Sequence, residues 1–197
     1  MRLWKGGVSE MESVHALADR RPRGFVLWMT GLPGSGKSTV AAIVKRRLEE
    51  EYGRYVELLD GDEVRKGLSS DLGLSREDRE EHARRVSYLA KVLARNGVIS
   101  IVALISPYRT SRQRARELIG GQDFVEVYVK ASLETCEKRD PKGLYARARR
   151  GEINNMTGIQ DPYEAPESPD IVLDTQTADP TPEENAAELL LALKNRL

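Results

Sequence analysis

Gly31-Leu32-Pro33-Gly34-Ser35-Gly36-Lys37-Ser38-Thr39 stands between an apolar run, Phe25 to Met29, and an amphipathic stretch that begins near Lys37. A glycine, four residues and then Gly-Lys-Ser is the spacing of a P-loop. The exposed backbone N–H groups of such a turn wrap the phosphates of a nucleotide, and Lys37 reaches the β/γ oxygens. Glycines are needed because side chains would block that approach. The helix that follows adds the positive end of its dipole, and the Ser38 hydroxyl can take one coordination site of Mg²⁺. A strand before the loop and a helix after it distinguish the motif from a chance glycine-rich turn.

Outward from the loop, strands and helices alternate. Val40, Ile43, Val44 and Leu48 recur at helical spacing, and that helix runs out in Glu49-Glu50-Glu51 and Gly53. Tyr55 to Leu59 reads as a short strand ending at Asp60-Gly61-Asp62, the carboxyl end where open α/β sheets place their chemistry. Val86, Leu89, Ala90 and Leu93 mark a long helix stopped by Asn96-Gly97. Val98 to Ile105 is almost wholly apolar, as a parallel strand buried on both faces requires, and Ser106-Pro107 ends it. A charged helix from about Thr110 to Leu118, a strand from Phe124 to Val129, a short helix from Ser132 to Arg139, a strand from Ile171 to Leu173 and a closing helix through Ala186, Leu189, Leu190 and Leu193 complete the pattern. The expectation is an α/β chain of the three-layer P-loop NTPase kind, with a parallel sheet of about five strands and helices on both faces.

From Asp140 to Pro169 the periodicity fails and glycine, proline, arginine and glutamate dominate. Loops this long are uncommon in compact domains unless functional or disordered, and Lys142, Arg147, Arg149 and Arg150 favour function, so 140–169 reads as a lid rather than as a merely solvated charged loop. Residues 1–22 form a leader of unclear role with a short helix around Met11 to Arg20, and 23–197 form one domain. No internal repeat is present.

Composition narrows the class. Lysine plus arginine and aspartate plus glutamate each number 31 in 197 residues, so no overall basic field exists to grip nucleic acid or anionic membranes, and small-molecule partners are expected. The single cysteine, Cys136, excludes an intrachain disulfide, suits a reducing compartment and reads as a packing residue. Residues 1–19 lack the continuous apolar segment of a signal peptide, and no stretch approaches a membrane span. A cytoplasmic enzyme is the expectation.

A nucleotide-binding loop alone does not separate kinases from switches or motors. Asp60, after its apolar strand, is placed to hold Mg²⁺ through water or to accept a proton from an attacking hydroxyl, and Asp62 lies one step beyond, although Asp-Gly is also good turn chemistry. Arg65, Arg79, Arg84 and Arg85 follow, and an anionic acceptor would need some of them, while Arg84 and Arg85 read equally well as helix-face solvation. The Asn-Lys-x-Asp of a guanine-binding switch is missing.

The chain resembles the adenylylsulfate kinases, or APS kinases, over about Gly24 to Thr175. The resemblance rests on Gly31 to Thr39, Leu59-Asp-Gly-Asp62 with Arg65, Asp71-Leu-Gly73 with Asp78-Arg79-Glu80, Ile105-Ser-Pro-Tyr-Arg109 and Arg139-Asp-Pro-Lys-Gly-Leu-Tyr145. Thr157-Gly-Ile159 and Asp161-Pro-Tyr-Glu-Ala-Pro-Glu167 complete it. It implies ATP with Mg²⁺ as donor and phosphorylation of the ribose 3′-hydroxyl of adenosine 5′-phosphosulfate (APS), giving 3′-phosphoadenosine 5′-phosphosulfate for sulfate assimilation. Carried over residue by residue, it implies Lys37, Asp60, Asp62 and Ser106 at the chemistry, and Gly31, Leu32, Pro33, Gly34, Ser35, Gly36, Lys37, Ser38, Thr39 and Arg139 at the nucleotide. Ser38 and Asp60 fall at the metal. Asp62, Arg65, Leu74, Arg79, His82, Ile105, Ser106, Pro107, Asn154 and Met156 fall at the acceptor. Ser106 looks like a serine phosphorylated in some relatives, though in-line transfer needs only positioning and electrostatics, and a strand-end Ser-Pro turn explains it as well.

Four positions depart from the family pattern, all on the acceptor side. Leu74 and Met156 replace two phenylalanines that hold the acceptor adenine, His82 replaces an asparagine and Asn154 a lysine. Leu and Met can still form an apolar slot. His82 can donate or accept as asparagine does, with a charge that varies near neutral pH, or it is a helix-surface residue. Three readings remain at this point: an APS kinase, a kinase of the same build with another nucleotide-like or sugar-like alcohol as acceptor, and an ATP-binding regulatory protein. A homodimer is expected from the resemblance, and with no sulfurylase fused to the chain a separate ATP sulfurylase is expected upstream.

Overall fold

A computed structural model describes residues 23–178 and 180–197. The leader and its expected helix lie outside the described residues. Five parallel strands, β1 (Val26–Thr30), β2 (Val56–Asp60), β3 (Ile99–Ala103), β4 (Phe124–Lys130) and β5 (Ile171–Asp174), form one sheet in the order β2-β3-β1-β4-β5. The helices are α1 (Lys37–Glu50), α2 (Gly61–Lys66), α3 (Arg76–Arg95), α4 (Arg109–Ile119), α5 (Leu133–Arg139), α6 (Leu144–Arg149) and α7 (Pro182–Ala192), with a 3₁₀ turn at Lys194–Arg196.

β1 is central and wholly buried, and its two-residue period divides the molecule into layers. Phe25, Leu27 and Met29 face one side, where they pack with Val40, Val44 and Leu48 of α1 and Leu189 and Leu190 of α7. Val26 and Trp28 face the other, against Val86 and Ala90 of α3 and Ala115 of α4. Leu27 sits opposite Ile101 on β3 and Val125 on β4, so the apolar registers of three strands coincide. The three layers and parallel sheet expected from the alternation are therefore present, with boundaries shifted by a residue or two. Val98 to Ile105 is trimmed most, to Ile99–Ala103, because the chain turns toward the site after Leu104 donates its N–H to Met29 O.

Local chemistry sets the helix starts. Ser75 caps α3 by accepting from Asp78 N, and Thr181 with Glu184 forms a reciprocal capping box on α7, with Pro182 in the first turn. The segment 140–169 carries structure that its sequence hides. α6 is only six residues long, too short to show a helical period, and its Tyr145 and Ala148 pack with Ala131, Cys136 and Met156 into a small third core.

Removing side-chain volume at the shared strand should be costly. Leu27→Ala is expected to lower unfolding stability by about 2–5 kcal/mol, read as a shift in urea midpoint at unchanged slope; a change under about 0.5 kcal/mol would contradict the central placement of this side chain.

Candidate active site

β1 lies between β3 and β4 although the chain visits β2 first, so a crevice opens where the strand order reverses, at the carboxyl ends of the strands. The P-loop crosses that crevice. Gly31 passes so close to β4 that a Cβ would sit 2.5 Å from Val129 O, and Gly36 enters α1 at φ 94°, a conformation that favours glycine. No side chain caps α1 and its first turn holds no acidic residue, which leaves its amide donors free for an anion. Tyr145 Oη donates to Pro33 O at 2.9 Å and Thr175 Oγ1 to Ser35 O at 2.8 Å, bracing the loop from two elements.

Lys37 folds back into the loop, donating to Gly31 O (2.9 Å), Leu32 O (2.8 Å) and Ser35 Oγ (3.3 Å). Burial pulls its ammonium down to about 8, against the opposing pull of Cys136 and Asp60. Beside it, Ser38 Oγ donates to Asp60 Oδ2 at 2.6 Å, while Asp60 Oδ1 accepts from Asp62 N at 3.0 Å and so caps α2. Asp62 pairs with Lys142 of the 140–169 segment.

These groups line a cavity of about 730 Å³. It gathers Pro33, Gly34, Gly36, Lys37, Ser38, Thr39 and Arg139, expected at the nucleotide, with Asp60 and Asp62 and with Arg65, Arg79, His82, Ile105, Ser106 and Pro107, expected at the acceptor. Arg139, on the last turn of α5, donates to Thr175 O. Gly31, Leu32 and Ser35 lie beneath this surface as acceptors for Lys37.

On the acceptor side, Arg65 donates to Gly73 O, and burial beside Arg79 lowers its pKa. Arg79 donates to Leu74 O and Asn155 O, with Asp161 3.7 Å away. Two expectations need correcting. His82 is not a helix-surface residue: it is 5% exposed, and burial beside Arg65, Arg79 and Arg85 holds its imidazole down at about 4, so in the free protein its charge does not vary near neutral pH. Leu74 and Met156 do not form a slot on the cavity. Leu74 is exposed at the turn before α3, and Met156 is buried in the third core, where an unbranched thioether fills the gap under Tyr145. Asn154 is exposed and lines no part of the cavity. Arg84 and Arg85 do pair on the helix face, with Glu81, and Arg85 also holds both oxygens of Asp71.

Ser106 sits at φ 38°, a costly backbone for a non-glycine residue. Arg112 holds it there: this buried guanidinium donates to Ser106 O (2.6 Å), Glu126 Oε1 (2.7 Å) and Glu164 O (2.7 Å). Ser106 Oγ accepts the indole N–H of Trp28 at 3.0 Å, leaving its own proton available to donate into the cavity. Sequence reasoning missed both Arg112 and Trp28 because their partners are distant in the chain. Lys142, read in the sequence only as one of the basic residues of the lid, pairs with the carboxylate of Asp62. Thr177 and Asn185, which line the nucleotide end, carry no motif.

A phosphate-binding loop at the switch point of a parallel sheet, with carboxylates at the floor and arginines opposite, defines a P-loop phosphotransferase. The family model for adenylylsulphate kinase matches residues 23–174. The chain is 52% identical to the adenylyl-sulfate kinase of Halothermothrix orenii over 177 residues, covering 90% of this chain and 93% of that one. It is 55% identical to that of Clostridium acetobutylicum over 155 residues, 79% of this chain and 76% of the relative. The structure of Mycobacterium tuberculosis APS kinase in complex with AMPPNP and APS superimposes with a TM-score of 0.83 at 46% identity, covering 88% of this chain and 99% of that one. The chain belongs to the adenylylsulphate kinase family.

Two expectations test the site. Lys37→Ala should abolish phosphoryl transfer with the circular dichroism spectrum unchanged. In the wild type, Lys37 is charged below about pH 8 and neutral above it, so the KM for ATP should climb as pH rises through that value; a flat ATP KM would show that this ammonium does not meet the nucleotide. Ser106→Ala should remain active at reduced rate, and intact-mass measurement of wild type incubated with ATP should find no phosphoserine. Complete loss of activity together with a phosphorylated Ser106 would reverse that reading.

Proposed function

We propose that this chain transfers the γ-phosphoryl group of ATP to the 3′-hydroxyl of APS, giving 3′-phosphoadenosine 5′-phosphosulfate and ADP. The observation that carries the reading is that one cavity is lined both by the P-loop with its uncapped helix and by Arg65 and Arg79, together with Asp60 and Asp62, which supports a phosphate site and an anion site sharing one space. Anions at both ends place a hydroxyl and a γ-phosphoryl group together between them, which is the positioning an in-line displacement needs.

The P-loop amides and Lys37 take the β- and γ-phosphates once Lys37 gives up its contacts to Gly31 and Leu32. The Ser38 hydroxyl and Asp60 carboxylate are hard oxygen donors 2.6 Å apart, a set that suits Mg²⁺, which uses few protein ligands and fills its shell with water and phosphate. Bound there, the ion supplies charge neutralisation for the phosphate oxygens. Asp62 accepts the proton of the 3′-hydroxyl as the new O–P bond forms and the bond to the ADP oxygen breaks. Lys142 leaves Asp62 at that point and meets the charge on the transferred group. Arg65 and Arg79 hold the phosphosulfate, Ser106 donates to the acceptor, and Arg139 covers the nucleotide base. Of the acceptor residues expected from the sequence, Ile105 and Pro107 shape the wall by packing, while Leu74, Asn154 and Met156 would reach the acceptor only after the 140–169 segment moves.

The same reading carries a cytoplasmic location, a homodimer and a separate ATP sulfurylase as the source of APS. Among the described residues no helix is long and apolar enough to cross a membrane.

A panel of alcohols, APS among them, assayed with labelled ATP tests the proposal. APS should be phosphorylated, and Asp60→Asn and Asp62→Asn should each lower kcat on the order of 10²-fold or more. Turnover of another alcohol with none of APS would replace the acceptor, and activity of either variant within a few-fold of wild type would remove that carboxylate from the mechanism.

A further inference from the structure

His82 is the one side chain on the acceptor wall whose polar atoms are all unspent. It is 5% exposed and lines the cavity, yet neither Nδ1 nor Nε2 has a hydrogen-bond partner among the described residues. An unpaired buried polar atom has given up its hydration for nothing, and an aliphatic residue at this position of α3 would avoid that cost. A ring kept at such expense beside a ligand cavity has its use in the liganded state.

The surroundings specify the ligand's charge. Arg65 faces His82 from α2, and Arg79 and Arg85 face it from its own helix. Arg85 is matched by Asp71 and Glu81. Arg65 has only the Gly73 carbonyl, and Arg79 has two carbonyls and the 3.7 Å approach of Asp161, whose oxygens already accept from Tyr108 Oη. Asp78, one turn earlier on α3, is engaged by Ser75, and Asp62 by Lys142. Arg65 thus stands without a carboxylate in contact and Arg79 with a single ion pair at 3.7 Å, so a third cation between them is unfavourable until an anion arrives. Burial and these arginines keep the free imidazole neutral, at about 4.

We propose that His82 sets acceptor affinity by a coupled proton: neutral in the free enzyme, it takes one proton from solvent as the phosphosulfate binds, and the imidazolium holds that anion with Arg65 and Arg79. This rests on APS being the acceptor. Rotation about the ring's Cβ–Cγ bond exchanges the edge that faces the cavity, and as imidazolium either nitrogen can donate to the anion. The sign follows from linkage. The bound-state pKa lies above the free one, so between the two values binding takes up protons and acceptor affinity rises as pH falls. Phosphosulfate loses its acidic protons well below neutral pH, so its own charge does not change over the range that matters.

The 197-residue chain carries two histidines, His15 and His82, so histidine NMR resolves the ring directly, with His82→Asn supplying the assignment. The His82 signal should stay neutral down to about pH 5 in the free enzyme and titrate between about pH 6 and pH 8 in the unreactive complex with ADP and APS. At saturating MgATP, the wild-type KM for APS should fall about three- to tenfold from about pH 8 to about pH 6, while His82→Asn, or His82→Gln where the first variant misfolds, loses the slope. An identical His82 titration with and without APS, or a slope that survives both substitutions, overturns the inference and leaves the APS reading standing. No turnover of APS by the wild type at any concentration overturns the acceptor reading, and the inference with it.

Discussion

The chain must leave the middle of a fully buried strand and enter a helix while keeping the helix's first amide groups clear. Gly36, at φ 94°, makes that turn, and α1 starts without a side-chain cap. The result is a set of backbone donors and about half a positive elementary charge aimed into the crevice between β3 and β4. The contacts around the loop serve that arrangement. Gly31 lets it pass against Val129 O, Tyr145 and Thr175 fix its carbonyls, and Lys37 fills the loop's own acceptors until a phosphate competes for it.

Across the cavity the design changes from backbone to side chains of unequal firmness. Arg79 is 8% exposed and tied to two carbonyls, so its guanidinium is held in place. The Lys142–Asp62 pair is different, with its side chains 59% and 63% exposed. An ion pair that open is worth about 0–1 kcal/mol, little enough to be given up on binding. That weakness suits the proposed role, in which the lysine releases a carboxylate and moves to a phosphoryl group. Ser106 is firm for the opposite reason, since its strained backbone is clamped by Arg112 and its hydroxyl by Trp28, so a role as a fixed donor suits it better than a role as a nucleophile that must move.

Much of this was legible in the sequence because it follows from local rules. The P-loop spacing, the apolar period of β1 and β3, the helical period of α1 and α3, and the carboxylates at the end of β2 are written within windows of ten or twenty residues. What was hidden depends on distance. Trp28 meets Ser106 across 78 residues and Arg112 meets Glu164 across 52, and no pattern announces such pairs. His82 looks like a surface residue in a charged stretch, because the arginines beside it are written as polar while one of them, Arg79, turns inward. α6 escaped because six residues do not display a period, and Met156 escaped with it, since its burial follows from the helix packed above it.

That division bears on the four positions where the resemblance implies a departure from the family pattern. Leu74, His82, Asn154 and Met156 all lie on α3, the turn before it or the 140–169 segment, none on the loop after β1. The nucleotide side recognises phosphate mainly through main-chain amides, which any sequence with the right glycines supplies, so substitution there breaks the turn itself and gains nothing. The acceptor side recognises its ligand through side chains on elements whose backbones are held independently, by the Ser75 cap, the Arg112 clamp and the third core. There a histidine in place of the asparagine that the resemblance implies leaves the backbone of α3 as it is, and on the proposal made above it adds a proton to the binding equilibrium while the phosphate site goes on as before.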